Sequence, residues 1–283
     1  PWTAHGRPEK ALRSEIDKFV TFSAIGSIAS AGMLYLSQLI TGWFGDTASG
    51  VYGAASQLVT PMAMITGALT SVLYPALAAA HGAGDKEKLR SHTDLTTRGF
   101  VALLVPIFGA LAIASRPLIH LIYELGRGKE GYMEAAVLMP VFCIALLLNN
   151  VATPSVSAVT SGAHRNVRYS MLLSQAGLLT AVLVWVTTVP FLGLFAIVLG
   201  YGAGVTLTAL SLMGVAWRQT GQRWNGLAFF VLGSAILIGA VSWLVQSLSP
   251  SYWIDLVAAV IFGIVWLGLS VRSIRRVVSA LRS

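Results

Sequence analysis

Two clusters of uncharged hydrogen-bonding side chains sit beside prolines inside otherwise apolar runs. The first holds Tyr52, Ser56, Gln57, Thr60 and Pro61, and continues through Thr66, Thr70, Tyr74 and Pro75. The second holds Asn149, Asn150, Thr153, Pro154, Ser155 and Ser157. Gln38, with Tyr35 and Ser37, adds polar groups to an earlier run. Amides and hydroxyls of this kind neither cleave nor transfer anything by themselves. They bind polar ligands, or they join one helix to another at about 0.6–2 kcal/mol each in a membrane. The residues alone leave both readings open.

Chemistry of other kinds finds little support. The five histidines, His5, His81, His92, His120 and His164, are scattered without metal-ligand spacing. The 11 acids lie in loops or, as Asp46 and Asp255 do, near the ends of apolar runs. No carboxylate pair and no nucleophile–base set is visible, so an enzyme is not expected. Neither a metal nor a cofactor is expected. The single Cys143 reads as a small buried apolar residue.

The elements that must position the two clusters are set by composition. Over 283 residues, 55% are hydrophobic and 11% charged, with a mean hydropathy of +0.74. Soluble domains carry about 25% charged residues, so this is an integral membrane protein. Eight runs reach the roughly 20 apolar residues that a helical span needs: 19–43, 51–80, 99–122, 135–160, 169–189, 193–216, 227–247 and 253–271. They are too long for barrel strands, and an isolated segment in lipid must satisfy its own backbone polar groups. The expected fold is all-α and polytopic, with about eight transmembrane helices.

Sorting Lys and Arg by loop puts all but Arg116, Arg127 and Lys129 of the 19 on one side. That asymmetry predicts both termini in the cytoplasm. It also accounts for the formal net charge of +8 without nucleic acid. Trp43, Trp185, Trp217, Trp224, Trp243 and Trp253 fall near run ends, where indole rings suit the headgroup zone.

Four regions are expected: an amphipathic cytoplasmic linker over 1–18, a six-helix lobe over 19–217, two additional helices over 218–271, and a basic cytoplasmic tail over 272–283. Asp85 should cap a short surface helix that begins near Lys86. The "TTVPFLG" turn should make the fifth and sixth spans a close hairpin. The last two spans carry few polar residues and are expected as lipid-facing additions. Pro61 removes a backbone donor and should kink the second run, and Pro154 should break the fourth. Kinked, polar helices of this kind suit a cavity wall in a moving protein. The substrate path is therefore assigned to Gln38, Tyr52, Ser56, Gln57, Thr60, Pro61, Asn149, Asn150 and Pro154.

Several motifs resemble one superfamily. "GDTASGVYGAASQLVTPMAMITGALTSVLYPALAAAHGAGDKEKLR" is similar to the seventh-to-eighth helix region of lipid-linked oligosaccharide flippases. These are polysaccharide biosynthesis proteins of the multidrug/oligosaccharidyl-lipid/polysaccharide exporter superfamily. Gly50, Tyr52 and Ala55, then Pro75 and Leu77, then Gly84 and Asp85, carry the likeness. "RPLIHLIY", "VPFLGLFAIVLGYGAGV" and "LRSEIDKFVTFSAIGSIAS" resemble later and earlier helices of the same half. The resemblance implies the C-terminal lobe of a two-lobed flippase in the bacterial inner membrane. It implies a polyprenyl-diphosphate-linked glycan as cargo, contact with membrane lipid, and a missing N-terminal lobe or a second copy as partner. Pro1 in place of Met fits that expectation. Polymerase and glycosyltransferase partners are implied as well. A drug or metabolite exporter of the same superfamily and a non-transporting scaffold are the alternatives. The chain has no Lys or Arg between Phe19 and Asp85, which assigns the anion-binding charge to the other lobe.

Overall fold

The structure is a computed structural model. It describes residues 10–125, 131–161, 164–221, 225–248 and 251–282. Ten α-helices follow one another in the described residues: α1 (Lys10–Thr41), α2 (Asp46–Val59), α3 (Met62–Gly82), α4 (Lys86–Ile113), α5 (Ser115–Ile119), α6 (Glu134–Thr160), α7 (His164–Leu192), α8 (Leu194–Thr220), α9 (Asn225–Leu248) and α10 (Tyr252–Arg282). A 3-10 turn over Gly42–Phe44 and a π-helical segment over His120–Leu125 complete the regular structure, which is wholly helical among the described residues.

Among the described residues, seven helices are long and apolar enough to cross a membrane: α1, α4, α6, α7, α8, α9 and α10. The chain is a multi-pass, all-helical membrane protein. The eighth run, 51–80, is not one helix. It divides into α2 and α3 at Thr60 and Pro61. Both residues keep right-handed helical angles (φ −57° and −58°), so the chain does not turn away at the break. Pro61 has no N–H to give the Gln57 carbonyl, and the ladder is interrupted where it should be.

The third run also differs from expectation. Asp85 does cap a helix, its side chain accepting from the Lys88 N–H at 2.9 Å. That helix is not a short surface element. α4 runs 28 residues from Lys86 to Ile113, about 42 Å at 1.5 Å per residue. The hydrocarbon core is about 30 Å thick, so the charged first turns stand clear of it. The transmembrane part then stops at Ile113 instead of 122, because Ala114 (φ −84°, ψ 16°) leaves the helical region and α5 starts anew. The end of the molecule with Lys86, Lys88 and Arg90 is called the basic end below. The end with Arg116 is the far end.

Packing centres on α6, which touches α2, α3, α4, α7, α8 and α9. Most of its residues are buried, as expected of a helix surrounded by others. α7 and α8 form the expected hairpin, turning at Gly193 (φ 54°). They cross where a Cβ on Gly204 would lie 2.5 Å from the Gly177 carbonyl oxygen. Small residues bring membrane helices this close. Thr208 Oγ1 spans the crossing, 3.2 Å from the Leu173 oxygen.

Trp185 departs from the anchoring role expected of it. It is 4% exposed, and its Nε1–H donates to the Ile197 oxygen at 2.9 Å. Gly200 makes this possible, since a Cβ there would meet the indole at 2.3 Å. Trp43, Trp217, Trp243 and Trp253 remain exposed, and Trp224 lies outside the described residues. The last two helices are more than lipid-facing additions. α10 packs along α4, and α9 packs on α4 and α6. The Phe262 ring fills the space where a Cβ on Gly109 would stand. Residues 10–18 belong to α1, and α10 is unbroken from Tyr252 to Arg282.

Candidate functional site

An open cleft of about 610 Å³ lies between α3 and α6. α3 contributes Thr66, Gly67, Thr70, Ser71, Tyr74 and Pro75, and α6 contributes Asn150 and Thr153. The chain reaches this geometry through simple periodicity. Thr66, Thr70 and Tyr74 are spaced four residues apart and so share one face of α3. Gly67 and Ser71 are small, which keeps the cleft open beside them.

The hydroxyls are aimed by their own helices. Thr70 Oγ1 donates to the Thr66 oxygen at 2.7 Å, and Ser71 Oγ to the Ala68 oxygen at 2.7 Å. Each therefore spends its proton on the backbone and keeps lone pairs for another donor. Asn150, 4% exposed, gives one Nδ2–H to the Leu146 oxygen at 2.7 Å. Its other N–H and its Oδ1 stay in reserve. Tyr74 donates to the Thr160 oxygen at 3.3 Å, tying α3 to the end of α6. Thr66 is 2% exposed and its Oγ1 has no hydrogen-bond partner among the described residues. A buried hydroxyl left so costs about 1–3 kcal/mol, a cost that a ligand or a water would remove.

A second groove of about 450 Å³ runs between α1, α3 and α7, lined by Ser23, Ser27, Ser30, Ser170 and Ser174 among others. Tyr74 lines both clefts. Ser30 and Ser174 meet at 3.3 Å across it. Every side chain named in either cleft is uncharged. Such a surface suits hydroxyls and amides. The described residues that line it include no cation and no acid–base pair. No cluster of metal-ligating residues occurs among the described residues, and Cys143 is buried.

The structure separates the residues assigned from sequence. Asn150 lines the cleft, and Asn149 next to it is exposed and does not. Gln38, Gln57, Thr60 and Pro61 are exposed and stand apart from the cleft. Ser56 is half-buried and donates to the Gly53 oxygen at 3.1 Å. Pro154 is buried.

Tyr52 is fully buried, with its ring edge-on to Phe142 at 5.1 Å between centroids. Its hydroxyl bonds Ser37 Oγ. Ser37 gives its own proton to the Leu34 oxygen at 2.7 Å, so Tyr52 is the donor. Tyr52 thus joins α2 to α1 and α6. Replacing it with Phe should lower stability by about 1 kcal/mol, the net worth of one neutral hydrogen bond, and leave any ligand affinity unchanged. Thermal unfolding in detergent beside a binding measurement checks both.

Thr66, Thr70, Ser71 and Tyr74 were not among the residues assigned to the path. The four-residue spacing of Thr66, Thr70 and Tyr74 is the signal that places those three on one face.

A family model described as lipid II flippase MurJ matches residues 4–263. No curated protein and no solved structure matches the chain.

Proposed function

The chain belongs to the lipid II flippase MurJ family, and from that premise we propose that it forms one wall of a two-lobed path for lipid II, a peptidoglycan precursor, across the bacterial inner membrane. The family lies within the exporter superfamily whose motifs the sequence resembles, on its peptidoglycan rather than its polysaccharide side. Its activity is transport, with no bond made or broken in the cargo.

The observation that carries the reading is the uncharged cleft between α3 and α6. A glycopeptide headgroup offers hydroxyls and amides, and Asn150, Thr66, Thr70 and Ser71 offer complementary donors and acceptors. The diphosphate needs Arg or Lys. No such residue lies between Phe19 and Asp85, so we assign the anion-binding charge to a second lobe facing this one. In this reading the chain is the C-terminal lobe, six spans followed by the α9–α10 hairpin. The basic end faces the cytoplasm, as the Lys and Arg distribution requires, and both termini lie there. The prenyl tail stays in lipid while the headgroup crosses.

Thiol protection tests this. With Cys143→Ser as background, a cysteine replaces Thr70, and a second variant carries one at exposed Met64. Purified lipid II should slow maleimide labelling at position 70 several-fold, and that at position 64 much less. Equal labelling with and without lipid II at position 70 would remove the cleft from the path.

A further inference from the structure

The α9–α10 hairpin meets the rest of the lobe at the far end through an exchange of helix ends. The break after α4 leaves carbonyls of its last turn without intrahelical partners. Ser242 of α9 donates to one of them, the Ala112 oxygen, at 2.9 Å. Gln246 of α9 donates to Ser115 Oγ, on the first residue of α5, at 2.9 Å.

Arg116 of α5 returns the favour to the hairpin. Its Nη1–H and Nη2–H donate to the Gln246 and Val245 oxygens, at 3.1 and 3.4 Å. Those carbonyls belong to the last turn of α9, where a cation also suits the helix dipole. The same guanidinium holds Asp255 in a two-point pair, Nε to Oδ2 at 2.8 Å and Nη2 to Oδ1 at 2.7 Å. Asp255 is fully buried in the first turn of α10. His120, paired with Glu124 at 2.7 Å, lies against the Tyr252 ring on the same seam.

We propose that Arg116 is a positioning residue that locks the α9–α10 hairpin to the far end of α4 and α5, so that the three elements travel as one body when the lobe moves. One planar side chain finishes α9 and neutralises the start of α10. Neither helix end can leave the α4–α5 break without exposing carbonyls or stranding a buried carboxylate, which is far costlier than a surface charge. The inference stands on these helix ends and holds whatever the cargo.

Spin-label distances in lipid nanodiscs test it. Labels go at exposed Trp253 of α10 and exposed Val137 of α6, with Cys143→Ser as background. The parent should give one narrow distance. Arg116→Ala should broaden it or add a second population, and should lower the thermal midpoint. In the double variant Arg116→Leu with Asp255→Leu no charge is stranded, so the midpoint should recover. The distance should stay broad, because the tie to the α9 carbonyls is gone. That split separates positioning from mere stability, and the double variant serves alone if Arg116→Ala does not accumulate. A narrow parent-like distance in the double variant would overturn the proposal, since packing of α10 on α4 would then suffice.

Discussion

Leucine in place of Gly204 should prevent α7 and α8 from closing. The first added atom alone would lie 2.5 Å from the Gly177 oxygen, 2.9 Å from Met33 Sδ and 3.0 Å from the Ala181 Cβ. Two of these neighbours can adjust little, because one is backbone and one is a methyl fixed to it. Overpacking in a core costs about 1–3 kcal/mol where side chains can shift. Here a whole helix must retreat, losing the Thr208 bond to Leu173 and contacts along the hairpin, so a loss of about 3 kcal/mol or more is expected. Gly233 of α9 has nothing within 4 Å of its missing Cβ, and leucine there should cost little. Thermal unfolding of the two variants side by side checks the claim. Similar midpoints would mean that the hairpin is looser than its geometry indicates.

The largest functional effect is expected in the cleft. Asn150→Leu removes an amide whose bond among the described residues is to its own helix, so stability should change little. Thr70→Val removes a hydroxyl of nearly the same shape. If each group makes one hydrogen bond to the headgroup in the step that limits transport, the two together are worth about 2 kcal/mol. That corresponds to roughly a 30-fold fall in flipping rate. Asn149→Leu is the comparison, because Asn149 is exposed and is not among the residues that line the cleft, and it should change the rate by less than about twofold. The measurement is lipid II flipping in cells depleted of their own flippase, at matched protein levels in the membrane. Equal losses in Asn149→Leu and Asn150→Leu would shift the path to the exposed face of α6. Wild-type rates in the double variant would remove the cleft from the mechanism.

These variants also mark what could be read without coordinates. Most of the spans, the helix break at Pro61, the Asp85 cap and the Gly193 hairpin are local events. Each depends on residues within a turn or two of each other, and each was legible. The choice between Asn149 and Asn150 was not. They are neighbours in sequence, but about 100° apart around the helix, and only the partners of α6 determine which one is covered. Tyr52 shows the same limit. Its polar tip suggested a cavity, yet its ring is wedged against Phe142 and its hydroxyl is satisfied by Ser37. Trp185 followed a rule for helix ends until Gly200, across the hairpin, provided a space for it.

Composition and periodicity determined that this chain lives in a membrane as helices, and the distribution of Lys and Arg carries the orientation proposed for it. Those properties follow from what lipid does to any polypeptide, whatever its neighbours. The tertiary structure alone decided that Thr66, Thr70 and Asn150 share one cleft, and that Arg116 finds Asp255 on α10. Such pairings lie across helix–helix contacts, and no local preference of the chain encodes which faces meet.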